Sequence, residues 1–290
     1  MLCACIDIGS NTTRVLVAEA VDGRLTEVLQ RRAFTRIGRG LAPGAAIPAA
    51  KIEEVAEVVA AQRALAEGVG AESLRAVATA AIRAAANRDE FVARVSERCG
   101  LELIVLDGEQ EARLAFLGAT RTLGQRLEGR VAVVDVGGGS SEIAVGTVDG
   151  GVEWARSFRV GSGMLADAHL EDDPPSVAQL DAVGRHAAGV FDGVDPPAVD
   201  RVIGVGGSAA SLRRLVGAEL APDTLERALR VLSSAPAAEV ARRFDLDPER
   251  VRLLPAGILV LDAAAQRLGS TLLVGRGGLR EGVVLELSQA

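Results

Sequence analysis

The sequence predicts an α/β protein of two similar lobes, each a mixed sheet flanked by helices, with a cleft between them. Three observations carry this. A strand–turn–strand–turn–strand pattern opens the chain and recurs from Arg130, with Asp7 and Asp135 at the same place in each copy. After each triple, strands alternate with helical segments. The 290 residues are 49% hydrophobic and 24% charged, a globular balance on a chain long enough to bury a core.

In the first copy an apolar strand spans 2–8, and Gly9-Ser10-Asn11-Thr12 is a turn. A strand at 13–20, a hairpin turn at Asp22-Gly23 and a strand at 25–30 follow. Residues 36–46 are loop. A helix over 51–67 places Val55, Val58 and Val59 at helical spacing, and 74–79 is a strand. Asn87-x-x-Glu90 reads as a capping box opening a helix through Phe91 and Val95; after a strand at 101–106, Asp107-x-x-Gln110 opens another. The second copy has strands at 131–136, 142–148 and 152–158, joined by a glycine-rich turn and by Asp149-Gly150-Gly151. Beyond a loop at 171–175, helix is expected at 177–191, around 209–216, within 221–244, at 253–268 after Pro255 and at 279–287, with strands at 202–205 and 271–274. The lobes are expected at 1–125 and 126–278, the closing helix 279–290 returning to the first.

Composition excludes several chemistries. Lys51 is the single lysine, and no Gly-x-x-x-x-Gly-Lys exists, so there is no P-loop. Two histidines and three cysteines are too few for an ordinary zinc site. A Ser-His-Asp triad would rest on His169 or His186, around which nothing converges; Trp154 is equally peripheral. Aromatics are 2% and net charge is −7, against nucleic-acid or anionic-membrane partners. Cys3 and Cys5 share one strand face and read as small core residues, and an odd third cysteine, Cys99, fits a reducing cytoplasm. No signal peptide and no apolar run of transmembrane length is read.

Chemistry gathers at strand ends. Asp7 and Asp135 sit where apolar strands enter turns. A carboxylate there either bonds the amides of its own turn or holds a metal ion directly or through water, and duplication favours the metal. Gly137-Gly138-Gly139-Ser140-Ser141 has more glycine than a hairpin needs, and closely spaced amides form an anion nest. Ser10-Asn11-Thr12 is its polar counterpart. Gly204-Val205-Gly206-Gly207-Ser208, between a strand and a helix, turns amides and a helix N-terminus toward an anion. On the helix after Asp107, Glu109 falls on the solvent side with Arg113, whereas Glu111 falls inward, where desolvation would suit it to general-base work. The alternative is a buried glutamate paired with an arginine. Thr79 and Arg83 follow a strand among alanines, and Arg83 is either a phosphate grip or a surface charge.

These lobes resemble the actin/Hsp70/sugar-kinase (ASKHA, ribonuclease H-like) superfamily. Within it the motifs are similar to those of the exopolyphosphatase/guanosine-pentaphosphate phosphohydrolase family. The segments are Ile6-Asp7-Ile8-Gly9-Ser10-Asn11, Ala78-Thr79-Ala80-Ala81-Ile82-Arg83, Gly108-Glu109-Gln110-Glu111-Ala112-Arg113-Leu114, Val134-Asp135-Val136-Gly137-Gly138-Gly139-Ser140-Ser141-Glu142, Gly204-Val205-Gly206-Gly207-Ser208 and Gly277-Gly278-Leu279-Arg280-Glu281-Gly282. The resemblance implies that Glu111 is the catalytic base. It places a divalent cation such as Mg²⁺ on Asp135 and Glu142, with Asp7 contributing through water. It puts phosphate on Ser10, Asn11, Thr12, Thr79, Arg83, Gly137, Gly138, Gly139, Ser140, Ser141, Gly206, Gly207 and Ser208. Thr12 stands for the commoner serine and Ser208 for a threonine, both keeping a hydroxyl. The implied substrates are inorganic polyphosphate and guanosine pentaphosphate. Longer members carry added helical domains; without them, and without an arginine-rich run, this chain is expected to prefer short polyphosphates. The expected assembly is a cytoplasmic homodimer. The competing functions are a small-molecule kinase of the same superfamily and a non-catalytic alarmone or polyphosphate sensor.

Overall fold

The computed structural model describes residues 1–21, 24–42 and 44–289, and the predicted Asp22-Gly23 turn lies outside them. In chain order the elements are β1 (Leu2–Ile8), β2 (Thr13–Val21), β3 (Arg24–Ala33), α1 (Ala49–Gly68), β4 (Ser73–Ala78), α2 (Ala80–Arg83), α3 (Arg88–Cys99), β5 (Leu103–Val105) and α4 (Gly108–Thr122). There follow β6 (Val131–Val136), β7 (Ser141–Thr147), β8 (Gly151–Phe158), α5 (Ser162–His169), α6 (Val177–Phe191), β9 (Arg201–Val205), α7 (Gly206–Val216) and β10 (Glu219–Leu220). The chain closes with α8 (Pro222–Leu232), α9 (Ala237–Phe244), α10 (Pro248–Leu268), β11 (Leu272–Val274) and α11 (Leu279–Leu287).

Two units are built on one plan. Met1–Thr122 with Gly277–Ala290 forms the first, and Leu123–Arg276 the second. The first sheet runs β3-β2-β1-β4-β5 and the second β8-β7-β6-β9-β11-β10. In each, the leading three strands are antiparallel neighbours and the next strand pairs parallel with the first of them.

β1 reads as continuously apolar because both faces of its sheet are covered. Ala4, Ile6 and Ile8 pack in one core with Ile52, Val55 and Val59 of α1 and Phe91 and Val95 of α3. Cys3 and Cys5 alternate to the other face, in a core with Leu114 of α4 and Val283, Val284 and Leu287 of α11. All three cysteines are buried and free, as small core residues. α4 and α11 meet backbone to backbone: a Cβ on Gly118 would strike Gly278 O, and one on Gly282 would strike Leu114 O.

In the second unit α10 is the central helix, with Leu254, Ile258 and Leu261 fully buried. It begins earlier than the expected 253. Pro248 occupies the first turn, where its missing N–H costs nothing, and Asp247 caps Glu249 N at 2.9 Å. Pro255 therefore lies inside the helix rather than ahead of it. Asn87 also departs from expectation. Its side chain makes no cap hydrogen bond to the α3 backbone; it clamps Ile47 N and O at 2.7 and 3.0 Å, and its Nδ2 also donates to Glu90 Oε2 at 3.1 Å. The Asp107–Gln110 box is reciprocal, at 2.8 and 2.9 Å. The short elements α2, α5 and β10 carried no periodic signal. The two histidines, on α5 and α6, hydrogen-bond each other at 3.0 Å. Among the described residues no helix is long and apolar enough to cross a membrane.

Candidate active site

Both units form the same turn after their first strand. Gly9 N donates to Thr12 O at 3.0 Å, and Gly137 N donates to Ser140 O at 3.0 Å. Each turn then ties its carbonyls to a neighbouring segment. Ser10 O and Asn11 O accept from Gly38 N and Arg36 N at 2.8 and 3.0 Å; Gly137 O and Gly138 O accept from Ser162 N and Met164 N at 2.9 Å each. A trans peptide points its N–H opposite to its C=O. The amides of Asn11 and Thr12, and of Gly138 and Gly139, therefore point away from those supports. That is the orientation an anion nest requires. Ser141 helps build the support: its hydroxyl donates to Val160 O at 2.6 Å.

The duplicated aspartates differ in what faces them. Asp7 pairs in register with Arg14 across β1 and β2. Its Oδ1 is buried without a hydrogen-bond partner, so this oxygen does not bond the amides of its own turn. Burial raises the Asp7 carboxyl above its ordinary value; Arg280 and Arg14 oppose that rise and Glu281 adds to it. Two more buried polar atoms close to this turn or on α11 lack partners, Asn11 Nδ2 and Arg280 Nη1.

Asp135 stands in register opposite Glu142 across β6 and β7, and Glu142 opposite Ser157 across β7 and β8. Ser157 Oγ donates to Glu142 Oε1 at 2.7 Å, and Glu142 is buried. Like charges facing across strands repel unless a cation or proton intervenes. Mg²⁺ is commonly held by one or two carboxylates, with waters and substrate phosphates completing an octahedron, so this pair fits it. Among the described residues no group of three His, Cys, Asp or Glu side chains is gathered for a metal. Asp135 and Glu142 are the two carboxylates of this unit that could hold such a cation, and Asp7 stands at the equivalent strand end of the first unit, opposite Arg14.

The third glycine turn abuts this pair. A Cβ on Gly206, whose φ is +87°, would lie 2.5 Å from Asp135 Oδ1. A Cβ on Gly207 would lie 2.6 Å from the Arg250 guanidinium, itself buried at the start of α10. These glycines open α7, whose first amides have no helical acceptor. Ser208 follows, fully buried, its Oγ without a partner; it fits only because Gly257 has no side chain. An unpartnered hydroxyl, a helix N-terminus and a buried arginine together suit a phosphate group.

In the first unit Glu111 is buried in the first turn of α4 while Glu109 is exposed, as the helix face requires. Arg83 Nη1 donates to Glu111 Oε2 at 2.9 Å and to Leu106 O at 2.8 Å. The partnered-glutamate alternative is therefore real. It is compatible with base chemistry, because an adjacent cation favours the ionised carboxylate that accepts a proton. Thr79 directly follows β4 as the N-cap residue of α2, buried; its N donates to Ile8 O at 3.2 Å and its O accepts Arg83 N at 2.9 Å, which fixes α2 and the root of Arg83.

Sequence reasoning assigned no role to Arg14, Ser157, Arg250 or Arg280. Arg14 is the second residue of β2, just past the first turn, and Arg280 stands inside the Gly277–Gly282 motif, so both had a positional signal. Arg250 is one of four arginines between 242 and 252, and only its burial sets it apart.

A sequence model of the Ppx/GppA phosphatase family matches residues 16–290. The chain is 31% identical over 301 residues to exopolyphosphatase 1 of Mycobacterium leprae, covering 97% of this chain and 87% of that protein. It is 26% identical to the guanosine-5'-triphosphate,3'-diphosphate pyrophosphatase of Vibrio cholerae, covering 99% of this chain but 59% of that longer one. The crystal structure of the Aquifex aeolicus family member superposes with a TM-score of 0.83 at 30% identity, over 100% of this chain and 98% of that one. An exopolyphosphatase from Cytophaga hutchinsonii shares the fold, with a TM-score of 0.86 at 19% identity over 100% of this chain and 98% of that one.

Proposed function

The chain belongs to the Ppx/GppA phosphatase family, and from that premise we propose that it is an exopolyphosphatase. It hydrolyses the terminal phosphoanhydride of inorganic polyphosphate, favouring short chains, with guanosine pentaphosphate as a second substrate. The observation that carries the reading is Glu111, buried at the start of α4 and held by Arg83 at 2.9 Å. Glu111 takes a proton from the attacking water. The new P–O bond forms as the bridging P–O bond opposite it breaks, releasing orthophosphate and a chain one phosphate shorter. The Gly138 and Gly139 amides, the α7 N-terminus and Ser208 bind phosphate oxygens, with Ser10, Asn11, Thr12, Thr79 and Arg83 as the first unit's phosphate contacts. Asp135 and Glu142 would hold a divalent cation such as Mg²⁺, which when bound offsets phosphate charge.

A net charge of −7 and one lysine supply no long cationic track, which supports distributive action on short polymers. A cytoplasmic homodimer completes the reading; three free, buried cysteines accord with a reducing compartment. The test is orthophosphate release, with Mg²⁺, from short polyphosphate, long polyphosphate and guanosine pentaphosphate in parallel. Release is expected to be fastest from the short polymer, with long polymer shortening gradually. No release from any of the three overturns the proposal.

A further inference from the structure

α10 carries a second feature at its other end. Asp262 lies twelve residues beyond Arg250, about 18 Å along the helix axis. It borders an open cavity of about 280 Å³ lined by Leu220 of β10, Pro222 and Leu225 of α8, Ala265 and Gln266 of α10, and residues 269–271. That is the lower end of the size range of small-molecule sites, which are mostly apolar with a few placed polar groups.

Asp262 is half-buried in this wall, so its charge is only partly solvated and a cation bound beside it would offset the remainder. Asp262 has none among the described residues. Its hydrogen bond comes from a neutral amide, Gln266 Nε2, at 2.8 Å. Burial holds the Asp262 carboxyl above its ordinary range, and only that hydrogen bond opposes the rise. Arg267, next along the helix, is turned elsewhere: it donates to Val194 O and lies 3.7 Å from Asp195. The cavity also abuts the C-terminal end of α10, where the helix dipole favours positive charge.

We propose that this cavity binds a small aliphatic primary amine, its ammonium on Asp262 and its chain against Leu220, Leu225, Pro222 and Ala265. The ammonium donates to Asp262 and to the amide oxygen of Gln266, whose nitrogen is already spent on Asp262.

The experiment titrates the intact chain with n-pentylamine, n-pentanol and n-pentanoate, following the methyl resonances of Leu225 and Ala265. Pentylammonium is expected to saturate in the millimolar range and to bind at least about tenfold more tightly than pentanol, with pentanoate silent. Asp262→Asn keeps the shape and is expected to lose about tenfold for the amine while leaving pentanol unchanged. A melting curve no lower than the parent's shows the variant folded. Equal affinity for amine and alcohol, undiminished amine binding to Asp262→Asn, or no saturation at roughly 0.1 M amine overturns the proposal.

Discussion

Replacing Glu111 with glutamine separates the proton-accepting function of this side chain from its place in the fold. The amide keeps the shape and an oxygen that still accepts from Arg83 Nη1, while Arg83 retains Leu106 O. The Arg83 side chain is 24% exposed, so water relieves part of the lost charge. The stability cost is therefore that of one weakened charge-assisted hydrogen bond, about 1 kcal/mol. The catalytic cost is far larger, because removal of a general base lowers rates by about 10²–10⁴, or roughly 3–5 kcal/mol of barrier. Phosphate release from short polyphosphate reads the second quantity and a thermal melt reads the first. Equilibrium binding of the same substrate should be nearly unchanged. Glu109→Gln, on the exposed side of α4, is the control and should leave all three readings alone. If Glu109→Gln abolishes release while Glu111→Gln keeps activity within about threefold, the helix-face argument is refuted.

Asp135→Asn halves the charge of the pair it forms with Glu142, and should raise the divalent-cation concentration needed for half-maximal activity; full activity of the parent in excess chelator would contradict the two-carboxylate seat. Gly206→Ala meets both a φ of +87° and Asp135 Oδ1, and should lose about 2–4 kcal/mol in a denaturant melt; Gly269→Ala, also left-handed but facing open space, should lose less. Because the folded state raises the Asp7 carboxyl, the folded protein binds the extra proton, and stability falls as pH rises from the ordinary 3.8 through the raised value. Asp7→Asn should flatten that decline across the same window; an unchanged profile would place the cost elsewhere.

The repeat was legible because a buried parallel strand announces itself as an unbroken apolar run, and Asp7 and Asp135 interrupt two such runs at one place. The inward face of α4 was legible because fifteen residues of helix give the periodicity room to speak. α2, at four residues, has none, although it delivers Arg83. The start of α10 was hidden by Pro255, which usually marks a boundary but here lies inside a helix held by tertiary packing. That misplacement also concealed Arg250, whose position over Gly207 follows from helix 248–252 and from no local pattern. Asn87 misled differently: its side chain does meet that of Glu90, but its oxygen goes to Ile47 N, forty residues away, rather than to the backbone of α3. Long-range partners of this kind leave no trace in sequence.

The helix α11 makes synthesis order matter. The first unit needs Leu279, Val283, Val284 and Leu287 to cover the face that carries Cys3, Cys5, Leu16 and Val77, and those residues follow the whole second unit. A nascent chain extends at about 5–20 residues per second. The earlier part of the first unit, finished at Thr122, thus waits on the order of ten seconds or more with that sheet face covered by α4 but not by α11. The second unit, contiguous in sequence, can complete itself on the ribosome first. Chains interrupted before residue 279 would carry a closed second unit and a first unit whose sheet face lacks α11, the form most prone to recruitment by chaperones or to aggregation.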